Sequence, residues 1–568
     1  MPDTSVSRLA ALALALCLPA GAMAQDAGAY LAARIAAEEG DHALAAAWYT
    51  RATAADTANP ALLEGTLIAH IAAGQFDEAS AVAQTMGSLN LQSPTMYVAL
   101  VDKLAKAGDW DGIIGLDTDL EAVGAVMQQL ITGWAELGRG QADAAMTAFD
   151  KVAQSQGLQA FGLYHKALAL AMVGDLEGAE AILADPDHPV AVTRRGTLAR
   201  VQLLSQLDRK DEARELLAQS FAESDPVRRM LTTALDAGES LPWDIVRTPQ
   251  EGMAEVFYTL ASALSAEAGD TFTLVYARVA TDLRPDHAEA QILVGDLLGG
   301  QGQTAMAIAA YGAVPDTDPL HEAANISEAD ALFTNGQDRE AVDTLKALAA
   351  ERPDALGVQV ALADALRQTE DFVAALPQYD KALQMIGSPS KQYWPVLFSR
   401  GITNDRLGRK EEAEADMRAA LDLMPDQPDV LNYLGYSLVE QHRKLDEALD
   451  MIERAVAAMP ESGAIQDSLA WAFFKLGRFD EAVAPMETAV LLEPADPILT
   501  DHLGDIYWAV GRRDEARFQW RRALVFAPEA AEVERINLKL EKGLTQVLTD
   551  EGQTDFAATL TKAVHDDH

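Results

Sequence analysis

The sequence predicts an all-α fold, a solenoid of about 14 helix–turn–helix repeats arranged in two arrays. Three observations lead to this prediction. Small residues recur at intervals of about 34 residues, alanine is abundant while aromatic residues make up only 6% of the chain, and apolar residues follow the spacing of amphipathic helices. Because the interval repeats along most of the 568 residues, stacked hairpins are expected to bury the apolar surface.

The composition is that of a folded chain with a strong negative charge. Apolar residues make up 49% of the sequence, which is enough for a packed interior. The 87 acidic residues outnumber the 44 basic ones and give a formal net charge of −43. Such a field repels phosphate backbones and anionic lipid surfaces, so a nucleic-acid partner is not expected.

Residues 1–24 have the pattern of a cleavable signal peptide. Arg8 precedes the apolar run LAALALALCL, and the small residues of AMA predict cleavage after Ala24. The apolar run is too short for a permanent anchor, and no later segment is predicted to span a bilayer. The single cysteine, Cys17, follows Leu16 rather than the small residue of a lipoprotein signal, so lipoprotein anchoring is not expected. We therefore expect a periplasmic protein whose mature chain has no cysteine.

The repeat is clearest in the second half of the chain. One longer step separates Ala363 from Gly401, and the other steps between the small residues suited to a helix crossing are about 34 residues long. These small residues are Ala261, Gly295, Ala329, Ala363, Gly401, Gly435, Ala470 and Gly504. Gly477 is placed to end the first helix of a unit in a left-handed conformation, and Pro494 to end the second. The pattern predicts an array of eight units over residues 253–528.

A fainter series predicts a degenerate array of about six units over residues 25–235. Its turn-forming residues recur at nearly the same interval and are Gly40, Gly74, Gly108, Gly140, Gly174 and Asp208. The two series lose register at residues 236–252, where prolines and glycines predict a break or hinge. Residues 529–548 are predicted to form a capping helix, and residues 549–568 a flexible tail.

The unit length and the positions of the small residues resemble the tetratricopeptide repeat (TPR) family, as found in exported bacterial proteins with many repeats. The resemblance implies a right-handed superhelix in which the first helix of every unit lines a concave groove. In this family, partner proteins lie against that lining. Carried over to the matched units, the groove positions are Asn432, Tyr436, Asp467, Trp471, Phe474, Lys475, Asp501, Asp505 and Trp508.

These groove positions suggest the chemistry of a partner. In the stretch LAWAFFKLGRFDEAV, Trp471 and Phe474 form a second stripe with Lys475 that the packing of the repeat does not require. With Trp508, the two aromatic side chains are expected to be exposed anchors for a partner. The three groove aspartates favour a basic protein or peptide. The alternative is that the tryptophans pack against neighbouring units.

No combination of residues predicts catalysis or a cofactor. The segment HEAAN, residues 321–325, lacks the second histidine of the zinc-peptidase motif, and His165 is expected to be structural. Asp501, His502 and Asp505 fall within one helical turn, so a weak metal site is an alternative there to ordinary groove positions. We expect no catalytic, cofactor-binding or metal-binding residues.

One dense basic cluster stands out in the acidic chain. It is GRRDEARFQWRR, residues 511–522, and we expect it to be a solvated helix face that pairs with Asp514 and Glu515. Binding of nucleic acid, of an acidic partner or of lipid headgroups are the alternatives.

These observations favour a non-enzymatic periplasmic TPR scaffold or adaptor for envelope assembly or maintenance, with possible peripheral association with outer-membrane proteins. The alternative is a TPR component of an outer-membrane secretion or exopolysaccharide export machine. An enzyme would need a separate catalytic domain of roughly 100 residues, and the gap between the arrays is too short for one.

Overall fold

The computed structural model describes residues 27–116, 123–187, 190, 193–223, 225–265, 270–387 and 390–566. All regular elements in these residues are helices, and most of them pair as antiparallel hairpins. Six hairpins precede residue 220 and eight follow residue 249, which confirms the predicted all-α solenoid of about 14 units. The chain forms two compact units, Met1–Leu348 and Ala349–His568, here called unit 1 and unit 2.

Unit 1 contains the helices from α1 to α18 and most of α19. Their bounds are residues 27–38 (α1), His42–Ala55 (α2), Pro60–Ala72 (α3), Phe76–Ser88 (α4), Pro94–Ala107 (α5), Trp110–Ile114 (α6), Val123–Gly138 (α7), Ala142–Ala153 (α8), Gln159–Met172 (α9), Leu176–Leu183 (α10), Arg194–Gln206 (α11), Lys210–Ser220 (α12), Pro226–Asp236 (α13), Pro249–Leu264 (α14), Asp270–Leu283 (α15), Ala288–Gly300 (α16), Thr304–Tyr311 (α17), His321–Thr334 (α18) and Asp338–Glu351 (α19).

Unit 2 continues the array and ends in three further helices. The bounds are Leu356–Gln368 (α20), Phe372–Ile386 (α21), Trp394–Arg406 (α22), Lys410–Leu423 (α23), Pro428–Glu440 (α24), Leu445–Ala458 (α25), Gly463–Lys475 (α26), Phe479–Leu492 (α27), Pro497–Ala509 (α28), Arg513–Val525 (α29), Ala530–Lys542 (α30), Leu544–Asp550 (α31) and Thr554–Asp566 (α32), with a short 3₁₀ turn at Lys391–Tyr393.

The residues that set the repeat in the sequence have the conformations the repeat needs. The predicted turn positions all have positive φ: Gly40 75°, Gly74 74°, Gly108 67°, Gly140 75°, Gly174 92°, Asp208 62°, Gly477 75° and Gly511 80°. The small residue at each crossing allows close packing, since a Cβ added at Gly504 would lie 2.4 Å from Trp520. The periodicity therefore reflects both turn geometry and helix packing.

In unit 1, two later helices pack against the first helices of the N-terminal hairpins. Helix α14 packs against α7 and α9, and α15 packs against α3 and α5. Lys106 of α5 forms an ion pair with Asp282 of α15 at 2.5 Å, and His42 Nε2 lies 2.6 Å from Gln301 Oε1. The inner side of this array is thus covered by helices of the same unit.

The segment predicted as a break or hinge, residues 236–252, is a packed part of unit 1. Leu241, Ile245 and Val246 are buried, the Leu241 amide donates to Ser205 Oγ at 2.8 Å, and Arg284 donates to the Ile245 carbonyl at 2.7 Å. Apolar burial and hydrogen bonds to the main chain thus hold these residues within unit 1, and the hinge stays a prediction. The compact units divide instead at Leu348/Ala349.

The C-terminal residues also differ from the prediction. The expected capping helix is two helices, α30 and α31, separated at Gly543, which has φ 81°. The expected flexible tail contains α32, whose Ala557 and Leu560 are buried. Residues 554–566 are therefore helical, and Ala557 and Leu560 are the side chains described as buried in them. None of the helices in the described ranges combines the length and apolar character needed to cross a bilayer.

Candidate partner-binding groove

The structure places the nine predicted groove residues on α24, α26 and α28, the first helices of three consecutive hairpins. Contacts between neighbouring helices join them into one surface. Trp471 Nε1 on α26 donates to Glu440 of α24 at 2.7 Å, and Lys475 Nζ lies 3.3 Å from the same carboxylate. The groove assignment itself stays a prediction, but the exposure of several of these residues differs from the expected one.

Trp471 lies in a stack between repeat units. Its ring is 3.9 Å from that of His502 on α28 and 4.9 Å from that of Phe474, and only 8% of the residue is exposed. His502 Nδ1 lies 2.7 Å from Asp467. Burial lowers the pKa of His502, but the Asp467 carboxylate outweighs this effect and the pKa is raised. Trp471 is thus packed against the neighbouring unit, which is the alternative the sequence left open.

The other two predicted aromatic anchors are covered by the C-terminal helices. Phe474 is 2% exposed, with its ring 5.2 Å from that of Phe556 on α32. Trp508 is half-buried and donates from Nε1 to Thr545 of α31 at 3.0 Å, while the Arg513 guanidinium lies 3.8 Å from its ring centre. The prediction of exposed anchors at these positions is wrong because the chain folds back over them.

The acidic part of the groove is neutralised within the chain. Lys539 of α30 is fully buried and places its ammonium 2.6 Å from Asp501 and 2.7 Å from Asp505. Asp505 also accepts a hydrogen bond from Trp520 Nε1 at 2.9 Å. A basic partner and a metal ion were the two sequence-based interpretations of these aspartates, and an internal lysine fills that role instead.

The basic cluster at residues 511–522 also contacts the C-terminal helices that cover the predicted groove. Arg512 pairs with Glu515 at 3.0 Å and with Glu487 at 3.1 Å, as expected for a solvated helix face. Arg517 donates to the Leu540 carbonyl of α30 at 3.1 Å. Part of this cluster therefore holds the C-terminal helices.

Asn432 and Tyr436 on α24 form the less covered part of the predicted groove. Both residues are half-buried, and the carboxamide oxygen of Asn432 is a buried acceptor without a hydrogen-bond partner in the described part of the chain. Burial raises the pKa of Tyr436 above its ordinary value, so its hydroxyl is neutral and can donate.

Two residues of α22 that the sequence prediction did not include occupy the repeat positions equivalent to Asn432 and Tyr436. Phe398 and Ile402 are half-buried and lie one repeat unit before Asn432 and Tyr436, at the equivalent repeat positions. That equivalence is the signal that could have identified them. We call Phe398, Ile402, Asn432 and Tyr436 the open face.

Unit 1 contains a buried ionic cluster that sequence reasoning also missed. Glu255 lies 2.8 Å from Arg195 and accepts from the Tyr164 hydroxyl at 2.9 Å, while Arg195 also pairs with Glu289 at 2.9 Å. Burial would raise the pKa of Glu255, but Arg195 and His287 hold it below its usual range. The sequence does not reveal this cluster because its charged residues lie on separate helices, far apart along the chain.

A cavity of ≈ 340 Å³ lies beside this cluster, between α9, α11 and α14. Its walls include Phe161, Tyr164 and Tyr258. Arg194 at its edge is neutralised by Asp225 at 2.8 Å, and Arg195 by the cluster, so the described walls of the cavity have no free cation for an anionic ligand.

The fold and the groove define a helical-repeat protein of the kind that binds other proteins along its inner helices. A family model described as the tetratricopeptide repeat matches residues 326–390, 398–463, 434–497 and 468–532. The chain therefore carries tetratricopeptide repeats, and the predicted resemblance is confirmed.

The chain is similar to several known proteins, two of which carry tetratricopeptide repeats in their names. A TPR repeat-containing protein of Pseudomonas aeruginosa is 30% identical over 194 residues, which are 33% of this chain and 31% of that protein. The match thus spans about a third of that relative's length. The APC/C hetero-tetramer Cut9–Hcn1 is 13% identical over 91% of this chain and 96% of the other, with a TM-score of 0.39. A tetratricopeptide repeat protein from Parabacteroides merdae is 17% identical. The match covers 43% of this chain and 92% of that protein, with a TM-score of 0.34.

Proposed function

We propose that this protein is an exported, non-enzymatic scaffold that binds a partner protein on the open face of α22 and α24. The observation that carries the proposal is the buried, unpartnered carboxamide oxygen of Asn432. A buried acceptor without a donor costs roughly 1–3 kcal/mol, and a peptide N–H from a partner would remove this cost. Half-buried Tyr436 beside it supplies the apolar contact typical of binding hot spots.

Helices α30–α32 cover several of the other predicted groove residues, which supports the choice of the open face on α22 and α24. Phe474, Asp505 and Trp508 contact side chains of α32, α30 and α31, respectively. A ligand at these positions would first have to displace those contacts. Phe398 and Ile402, half-buried at the equivalent repeat positions of α22, would extend the proposed surface by one repeat. We expect an extended segment or loop of the partner to lie across α22 and α24.

The cellular role belongs to the same proposal. The signal-peptide pattern of residues 1–24 supports export to the periplasm, and a rigid binding surface without a catalytic constellation suits assembly or maintenance of the envelope. Mass spectrometry of the protein recovered from a periplasmic fraction should give an N-terminus at Gln25. A chain that retains residues 1–24 and stays in the cytoplasmic fraction would contradict the export proposal.

The binding face is tested by crosslinking and co-purification from periplasm. We expect the Asn432→Ala/Tyr436→Ala variant to lose at least nine-tenths of the partner recovered by the wild-type chain. The matched control is Tyr30→Ala/Asn537→Ala, which removes the same two side-chain types from α1 and α30 and should recover the partner fully. Equal recovery by the two double variants would show that the open face is not the binding surface.

A further inference from the structure

The three C-terminal helices are held to unit 2 very unequally. Helices α30 and α31 bury Ile536, Leu544, Val547 and Leu548, together with the ion-paired Lys539. In α32, the buried side chains among those described are Ala557 and Leu560. A helix held by so few contacts opens at a lower free energy than the helices beneath it.

Helix α32 packs against α31 and α28, and it contacts α26 and α27 through an aromatic plug. The half-buried ring of Phe556 lies 5.2 Å from that of Phe474 on α26 and 6.2 Å from that of Phe479 on α27, both in edge-to-face geometry. Phe474 and Phe479 are themselves 5.6 Å apart. Beside them, a Cβ at Gly477 would lie 3.5 Å from Thr559, so α32 passes close to the turn of this repeat. The plug fills an aromatic pocket made by one repeat unit.

We propose that α32 is a displaceable plug, and that the pocket of Phe474 and Phe479 beneath it accepts an aromatic residue from an amphipathic helix of a partner protein. The plug shows the chemistry that fits: an aromatic residue, Phe556, followed one helical turn later by an aliphatic one, Leu560, on one face of a helix. Helix-in-groove recognition uses anchors at this spacing. The pocket is separate from the open face, so the inference does not depend on the proposed function.

Hydrogen exchange of the full-length protein tests whether the plug opens. We expect amides of α32 to exchange at least a hundredfold faster than those of α30 and α31, and together, as one opening unit. The Phe556→Ala variant should speed exchange in α32 at least tenfold and leave α30 unchanged. Exchange in α32 as slow as in α30 would overturn the proposal.

Binding in trans tests whether the pocket accepts a foreign helix. The probe is a fluorescein-labelled peptide of residues 553–566, titrated into the full-length Phe556→Ala protein and into the wild type. We expect at least tenfold tighter binding to the variant, whose pocket is unfilled. A peptide with Phe556→Ala should bind at least tenfold more weakly, whereas a peptide with Lys562→Ala, a change at an exposed position, should bind as well as the parent.

Two results would overturn the proposal. One is equal binding of the parent peptide to the wild type and to the variant, which would place it elsewhere on the surface. The other is a wild-type dimer in sedimentation experiments that disappears when α32 is deleted, since the occupant would then be a second copy of the chain.

Discussion

Gln359 is a fully buried amide on α20, and both its oxygen and its nitrogen lack a hydrogen-bond partner in the described structure. Folding removes the Gln359 amide from water without giving it hydrogen bonds in return. An apolar side chain of similar size at this position should therefore make the folded protein more stable. We expect Gln359→Leu to raise the free energy of unfolding by about 1–2 kcal/mol, measured by urea denaturation. Gln368→Leu, at an exposed position on the same helix, should change it by less than about 0.5 kcal/mol. Destabilisation by the first change would contradict this account of Gln359.

Asp102 on α5 is a buried carboxyl group with a strongly raised pKa. Burial, and then the neighbouring Asp282, raise the pKa of Asp102 to about 8, and Lys106 is the nearby cation that opposes them. Because the folded pKa is raised, this residue contributes stability that is complete below its ordinary pKa and is lost as the pH rises through about 8.

We therefore expect wild-type unfolding temperatures to fall between pH 5 and pH 9, and Asp102→Asn to reduce that fall. The variant keeps a neutral side chain of the same shape, and the difference between the two proteins at pH 9 should be on the order of 2 kcal/mol. Asp143→Asn, an exposed change on α8, should leave the pH dependence unaltered. An Asp102→Asn profile identical to that of the wild type would show that Asp102 does not titrate in this range.

At the scale of the helices, Lys539 is the main electrostatic link of α30 to the array. Its loss would remove the nearest cation from buried Asp501 and Asp505 and leave Arg535, 3.8 Å from Asp505, as a more distant one. Breaking a buried pair in this way costs about 3–5 kcal/mol. We expect Lys539→Met to reduce the free energy of unfolding of unit 2 by that amount. Lys542→Met, which breaks a half-exposed pair with Asp550, should cost less than about 1 kcal/mol. Similar losses in the two variants, followed by urea denaturation, would contradict the role given to Lys539.

The turn between α30 and α31 offers a second test of how closely these helices pack on the array. Gly543 and Gly552 have nearly the same φ, 81° and 82°, but a Cβ at Gly543 would lie 2.3 Å from Trp508, whereas one at Gly552 would meet nothing within 4 Å. Both alanine variants should carry a backbone cost of about 1 kcal/mol.

We expect Gly543→Ala to cost at least about 2 kcal/mol more than Gly552→Ala in urea denaturation, because Trp508 must move. The fluorescence of the tryptophans should shift to longer wavelength only in the first variant. Equal costs would show that α31 does not lie against Trp508 as the structure has it.

Local sequence patterns predict the helices and turns of the repeats, but not the contacts made by the C-terminal helices. The repeat spacing predicted the hairpins and their turn residues correctly, because Gly477 and its equivalents act within one repeat. The second stripe that the sequence places at Trp471 and Phe474 is seen in the structure as two stacked rings 4.9 Å apart. Its partner was not predictable, because Phe556 lies on a helix beyond the end of the repeat array, and no periodicity specifies that contact.

Over the whole molecule, each unit uses helices of its own chain to cover inner helices of its array. In unit 1, α14 and α15 pack against α3, α5, α7 and α9, and in unit 2, Lys539 and Phe556 fill the groove at α26 and α28. An array with most of its groove filled has only a short stretch free for a partner. In unit 2 we therefore propose the open face on α22 and α24 as the place of the binding function.

Site-specific photo-crosslinking tests this central claim most directly. A photoreactive phenylalanine analogue would replace Phe398 on the open face or, as the matched control, Phe518 on α29, which is 62% exposed and offers better access to any chance contact. We predict a discrete protein adduct in periplasm from position 398, lost in the Asn432→Ala/Tyr436→Ala background, and none from position 518. An adduct from position 518 without one from position 398 would contradict the assignment of the binding surface.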